Sequence, residues 1–177
     1  MKNSCLLLSL VFFIGCAKVQ PRRPINPKPS TTIFESNTAQ ELKKLNQIEE
    51  QKILDLIKND STKTYIQSSN GFWYTYENKI SENLPTPNSG DEVEFSYDIK
   101  DLEDINIYSK DELGVKNYIV DKEDFITGLQ KGIKLMKVGE TITFVIPSYS
   151  AYGITGDGKK IGINQSIKST VTLINIK

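Results

Sequence analysis

Residues 125–136 read Phe125-Ile126-Thr127-Gly128-Leu129-Gln130-Lys131-Gly132-Ile133-Lys134-Leu135-Met136. Phe125, Leu129, Ile133 and Met136 recur at i, i+4, i+8 and i+11, so they share one face of a helix. Asp124 before the run and Lys134 and Lys137 near its end suit the helix dipole, and Gly139 offers a stop. On either side the hydrophobic period falls to two. Val93, Phe95 and Tyr97 alternate with Glu94, Ser96 and Asp98, and Asn117 to Val120 is a further strand candidate. Ile142, Phe144 and Ile146 alternate up to Pro147, and Ile167, Val171 and Leu173 lie on alternate positions of a last strand. Between those two strands runs a loop punctuated by Gly153, Gly156, Gly158 and Gly162. Strands predominate and one short helix sits among them. The expected class is α+β, an antiparallel sheet wrapped around a short helix.

Upstream, residues 33–60 contain no glycine or proline. Thr38 and Glu41 have capping-box spacing. Leu42, Leu45 and Ile48, then Ile53, Leu56 and Ile57, mark an apolar face, so an amphipathic helix is expected, with Asn59-Asp60-Ser61 as its stop. That helix, over 35–60, can pack on its own domain or form a homodimer with a second copy; packing on its own domain is the simpler expectation. Gly71-Phe72-Trp73-Tyr74-Thr75-Tyr76 is aromatic enough to be a strand. Pro85, Pro87 and Gly90 mark a turn-rich connection. The expected divisions are therefore 33–87, helix and aromatic strand, and 88–177, the main domain.

The N-terminus reads as an address. Met1-Lys2-Asn3 is followed by an apolar run from Cys5 to Ile14, long enough for a signal-peptide core and too short to span a bilayer. Phe13-Ile14-Gly15-Cys16 resembles a bacterial lipoprotein cleavage box, in which the leader, here 1–15, is removed and the cysteine is acylated. Cys16 is thus the expected lipidation site and membrane anchor, each buried CH₂ contributing about 0.8 kcal/mol. Residues 16–32 hold four of the seven prolines and read as an extended tether. Residue Cys5 leaves with the leader, so the mature chain has no free thiol. The expected location is the periplasm-facing side of a bacterial envelope membrane, inner or outer.

Composition narrows the chemistry. The 177 residues carry 22 basic and 22 acidic side chains and no histidine. The first thirty residues hold Lys2, Lys18, Arg22, Arg23 and Lys28 and no acid; five taken from 22 leaves 17 basic against 22 acidic in 31–177, a net charge of −5. A nucleic-acid partner is not expected of such a domain. Without histidine there is no Ser-His-Asp or Cys-His system, no imidazole base and no histidine-bearing zinc site. The loop after Gly153 is no phosphate cradle, since no Lys-Ser/Thr follows it. Glu49-Glu50 and Asp101-Glu103-Asp104 read as solvated surface carboxylates.

Five pieces, in order, resemble the FKBP-type peptidyl-prolyl cis-trans isomerases. Val93 to Tyr97 is similar to their first-strand "V-x-V-x-Y", and residues 125–136 to their "V-I-x-G-W-x-x-G-x-x-x-M". Val138-Gly139-Glu140 matches "x-G-E", and Ile146-Pro147 with Ala151-Tyr152-Gly153 resembles "I-P-x-x-x-A-Y-G". Ile161 to Ile167 stands where the family has "I-P-P-N-x-x-L". The lipoprotein leader, the helix and the Asn70 to Tyr76 stretch are similar to the gliding-motility-associated FKBP-type lipoproteins of the Bacteroidetes.

The resemblance implies a proline pocket. Tyr97, Phe125, Ile126, Leu129, Tyr152 and Ile161 take pocket positions, and Tyr108 stands for the phenylalanine of the family's "F-D-S". The Ile126 N–H would hold a substrate carbonyl, and Leu129 replaces the pocket-floor tryptophan. Ser109 falls where the family has an aspartate and Ser169 where it has an aromatic, while a further wall aromatic falls at Lys116 or Tyr118. The implied reaction uses no cofactor and no metal. Rotation about X-Pro has a barrier of about 18–20 kcal/mol, set by amide resonance that a twisted state loses. An apolar socket that favours the twisted amide suffices. The implied partners are proline-containing polypeptide clients, and the implied role is folding of exported proteins, gliding-motility or secretion components among them. The departures at Ser109 and Ser169 leave open a second reading, a weakly active or inactive module that binds an envelope partner.

Overall fold

A computed structural model describes residues 32–177, with side chains from Thr38 onward. The chain divides into two units, Met1–Thr38 and Ala39–Lys177. The expected leader 1–15, the expected lipidation site Cys16 and the expected tether up to residue 31 lie outside the described residues. Of the first unit only the opening of helix α1 (Thr32–Asn59) is described. Because α1 begins at Thr32, Thr38 and Glu41 lie inside it rather than at its cap, where only the first four N–H groups need side-chain acceptors. Its end is the expected one. Asp60 accepts from the Thr62 N–H and hydroxyl, at 3.1 and 2.5 Å, and closes the turn.

The second unit is built on one antiparallel eight-stranded sheet. Its strands are β1 (Ile66–Gln67), β2 (Trp73–Asn78), β3 (Glu92–Tyr97), β4 (Ile99–Lys100), β5 (Asn106–Tyr108), β6 (Val115–Ile119), β7 (Thr141–Ile146) and β8 (Ile167–Ile176). The path is β1-β2-β7-β8-β3-β6, with β4 joining β5 to β8. The aromatic strand β2 belongs to this sheet, Trp73 opposite Val145 and Tyr76 opposite Ile142. Strand β6 starts at Val115, two residues before the expected Asn117. Helices α2 (Lys110–Leu113) and α3 (Thr127–Ile133) complete the unit.

Alternation along β7 assigns the two faces of the sheet. Ile142, Phe144 and Ile146 join the main core with Leu129 and Ile133 of α3. Val145 points the other way, into a second cluster with Trp73 and the fully buried Ile53 of α1, flanked by Ile57 and Leu102. The C-terminal half of α1 therefore packs on its own domain. Leu42, Leu45 and Ile48 stay exposed.

Helix α3 is shorter than the apolar spacing suggests. Phe125 precedes it, Ile126 is its N-cap, and after Ile133 the chain tightens into i→i−3 bonds, Leu135 N to Gly132 O at 2.9 Å and Met136 N to Ile133 O at 3.0 Å. Asp124 and Lys137 consequently lie off the helix, and Lys134 pairs with Asp121 at 2.9 Å. Gly128 and Gly132 are the reason the helix can lie so close to β7. A Cβ on Gly132 would stand 2.5 Å from the Phe144 ring, and one on Gly128 2.6 Å from Ile146.

Candidate active site

Four segments converge on one end of α3. Strand β3 ends on Tyr97 and β5 on Tyr108. The approach to α3 supplies Phe125 and Ile126, and its first turn supplies Leu129. After β7, a 3₁₀ turn (Ser148–Ser150) delivers Tyr152, and the loop that continues to β8, the flap, returns Ile161. All seven join one apolar cluster. Leu129 is fully buried, Tyr97, Ile126 and Ile161 are buried, and Tyr108, Phe125 and Tyr152 are half-buried at its edge. The rings of Tyr97 and Phe125 meet edge-to-face, 5.5 Å apart at 88°.

The core strand residue Phe95 and both candidates for the further wall position, Lys116 and Tyr118, border this cluster. Phe95 stands 5.6 Å and Tyr118 5.8 Å from the Phe125 ring. Lys116 shares the Tyr118 face of β6 and holds its ammonium 5.1 Å above the same ring. Both residues thus border Phe125, Tyr118 from the core and Lys116 from outside. The two serines are used elsewhere. Ser109 caps α2 by accepting from the Glu112 N–H at 3.2 Å, and the fully buried Ser169 hydroxyl donates to the Asp98 carbonyl at 2.7 Å.

The flap brings a carboxylate to the edge of this cluster. Asp157 accepts from the Tyr108 hydroxyl at 2.5 Å, and its other oxygen accepts from the Lys159 and Ile161 N–H groups at 2.9 and 2.8 Å. Partial burial opposes its ionisation, but these donors outweigh burial and hold the carboxyl down at about 2. Tyr152 is pushed up to about 12, first by burial and then by Tyr97, Asp157 and Tyr108 nearby. Burial also raises Tyr97. Tyr108 is raised chiefly by its bond to Asp157. Tyr152 is thus a phenol donor on an apolar wall. The Ile126 N–H makes no hydrogen bond among the described residues, while the Ile126 carbonyl accepts from Gln130 N at 2.9 Å.

Glu49 and Glu50 are not solvated carboxylates. Glu49 accepts from the N–H of Ser148 at 2.6 Å, from its hydroxyl at 2.8 Å, and from the hydroxyl of Ser166. Glu50 accepts from Tyr149 at 2.7 Å. Glu103 and Asp104 are exposed as expected, though Asp104 pairs with the buried Lys168 at 2.9 Å, and the half-buried Asp101 accepts from the Glu103 and Ile105 N–H groups. A groove of about 660 Å³ lies between α1 and the root of the flap, but none of the seven cup residues lines it. Among the described residues no group of three or more His, Cys, Asp or Glu could hold a metal ion.

Residues 84–174 match the sequence model of the family described as FKBP-type peptidyl-prolyl cis-trans isomerase. Solved structures with a similar fold include FkpA from Escherichia coli, at 24% identity and TM-score 0.61, covering 82% of this chain and 67% of that one. They also include a peptidyl-prolyl cis-trans isomerase from Pseudomonas syringae pv. tomato, at 18% identity and TM-score 0.59, covering 86% of this chain and 99% of that one.

Proposed function

The chain belongs to the FKBP-type peptidyl-prolyl cis-trans isomerase family, and from that premise we propose that the cup around Leu129 is where its proline substrates turn. The observation that carries this is the edge-to-face contact of Tyr97 with Phe125 at 5.5 Å, at an edge of the main core where Tyr108, Phe125 and Tyr152 stay half-buried. The proline ring packs against the half-buried rings of Phe125 and Tyr152, with the fully buried Leu129 behind them. The unpaired Ile126 N–H takes a substrate carbonyl and the Tyr152 phenol takes another. As the X-Pro bond twists, resonance is lost and its carbonyl carries less negative charge, so the apolar walls disfavour the twisted amide less than the planar one. No proton is transferred and no covalent bond is made.

A protease-coupled assay on peptides with varied residues before proline tests this reading. A rate above the uncatalysed one, which has a relaxation time of about 10–100 s, supports it; background rates across the series contradict it. With Asp157 held down and Tyr97, Tyr108 and Tyr152 raised, kcat/KM should stay flat from about pH 5 to about pH 9. The signs at the edges are opposite. Asp157, held at about 2 against an ordinary 3.8, stabilises the flap above pH 3.8, and that contribution is lost as pH falls from 3.8 towards 2. Tyr152, raised from 10 to about 12, contributes fully below pH 10, and its share is lost as pH rises from 10 to 12.

We further infer that the chain works from a membrane surface in the bacterial envelope, held by acylated Cys16, on exported clients that include motility or secretion proteins. Its support is the leader of residues 1–15 and the box ending at Cys16. The exposed Leu42, Leu45 and Ile48 stripe supports pairing of α1 with a second copy. C16S should move the protein from the membrane fraction to the soluble fraction, where it should sediment as a dimer that Leu45→Glu converts to a monomer. Retention in the membrane fraction would refute the anchor, and a C16S monomer would refute the pairing.

A further inference from the structure

Glu49 lies on α1, outside every motif of the isomerase domain, yet it binds both ends of the flap. The flap leaves β7 at Ile146, carries Tyr152, Asp157 and Ile161, and re-enters the sheet at Ile167. The pairing of Ile146 with Ile167 already closes this loop, so the sheet needs nothing from α1 to bring its ends together. What the sheet leaves undetermined is the angle at which the loop leans over the cup. One carboxylate constrains that angle from both sides, taking the Ser148 N–H and hydroxyl at the start of the flap and the Ser166 hydroxyl at its end. Ser148 and Ser166 are buried, so water is a poor substitute for these bonds.

The carboxylate is itself firmly placed. Ile53, one turn along the same face of α1, is fully buried against Trp73 and Val145. From Ser148 the constraint passes inward by hydrogen bonds: its carbonyl accepts from Ala151 N at 2.9 Å and Gly153 N at 2.8 Å, and the Gly153 carbonyl accepts from Asn164 N at 2.8 Å. Tyr152 lies between the two bonded amides of residues 151 and 153. Asp157 then fixes the distal half of the flap to Tyr108.

We propose that Glu49 is a positioning residue for the isomerase reaction: a carboxylate on the N-terminal helix that sets the flap's stance over the proline cup through Ser148 and Ser166. The helix is thereby part of the support of the site, and displacing α1 loosens Tyr152 and Ile161. This rests on the cup being the proline site. The structural half is read without substrate, so failure of the clamp and failure of the cup give different results.

The experiment compares Glu49→Ala and Glu49→Gln in the full chain by amide hydrogen exchange and by peptide isomerisation. A glutamine can accept from the Ser148 N–H and the Ser166 hydroxyl with its carbonyl and donate to the Ser148 hydroxyl with its amide, so it keeps the geometry without the charge. Glu49→Ala should speed exchange in residues 149–166 by about tenfold or more while β3 and β8 stay protected. It should raise KM about fivefold with kcat within twofold, because a smaller fraction of molecules holds the binding-competent flap. Glu49→Gln should restore most of both. Unchanged flap exchange in Glu49→Ala, a rise spread evenly over the whole domain, or a glutamine variant no better than alanine would overturn the proposal. Wild-type protein with no isomerase activity but a flap loosened by Glu49→Ala would retire the cup assignment and leave the clamp standing.

Discussion

Ile126→Pro should lower kcat/KM on X-Pro peptides by roughly 10–100-fold while leaving the fold intact. The residue caps α3 with φ of −54° and ψ of 117°. Proline prefers φ near −65 ± 15°, so the backbone accepts the ring, and no intramolecular hydrogen bond is lost because the Ile126 N–H has none among the described residues. What disappears is one donor to the substrate. Loss of a hydrogen bond that leaves a desolvated carbonyl unpaired costs about 1–3 kcal/mol, which sets the expected range. Ile126→Val keeps the N–H and most of the apolar surface, so it should stay within about threefold of wild type. Equal losses in the two variants would mean that the side chain, and not the donor, matters.

Gly132→Ala should destabilise the protein by about 1–3 kcal/mol in denaturant unfolding. Helix propensity alone predicts the reverse, a gain of about 0.8–1 kcal/mol. Packing decides the sign. The added Cβ would stand 2.5 Å from Cε1 and 2.8 Å from Cζ of Phe144. That ring is fully buried, with Phe72 5.8 Å and Tyr74 6.3 Å away, so it has no room to swing aside. Gly128→Ala meets the Ile146 side chain at 2.6 Å, and a rotamer change can relieve part of that contact, so its cost should be smaller. A Gly132→Ala protein more stable than wild type would show that α3 is not held against β7 as described.

The fold was legible wherever a periodicity ran its full length. Strands β3 and β7 follow from strict alternation at Val93 to Tyr97 and Ile142 to Ile146, and α1 from its long apolar face. Boundaries set by contacts were not. The spacing from Phe125 to Met136 describes residues facing one core, and it cannot tell a helix from a short helix with a turn at each end. Thr38 and Glu41 have the pattern of a cap, but a cap requires the helix to begin there, and α1 begins at Thr32.

Motif order picked out seven residues that the structure gathers in the main hydrophobic core, with Tyr97 and Phe125 ring to ring. The electrostatics of the site were only half legible. Asp157 between two glycines signals an Asx-type turn, and its bonds to the Lys159 and Ile161 amides are of that kind. Its partner Tyr108 is 49 residues away, and no local pattern links the two. Glu49 was hidden for the same reason. On a helix rich in Glu, Gln and Lys it looks like its solvated neighbours until Ser148, 99 residues on, and Ser166, 117 residues on, are brought against it.

The most direct measurement is a titration of the ¹⁵N-labelled protein with a short proline peptide, read amide by amide. The largest shifts should fall on Ile126, Tyr152 and Ile161, with exchange between the peptide's cis and trans signals accelerated in the same samples. Shifts confined to the groove between α1 and the flap root, with Ile126 unmoved, would contradict the cup as the place where proline binds and turns.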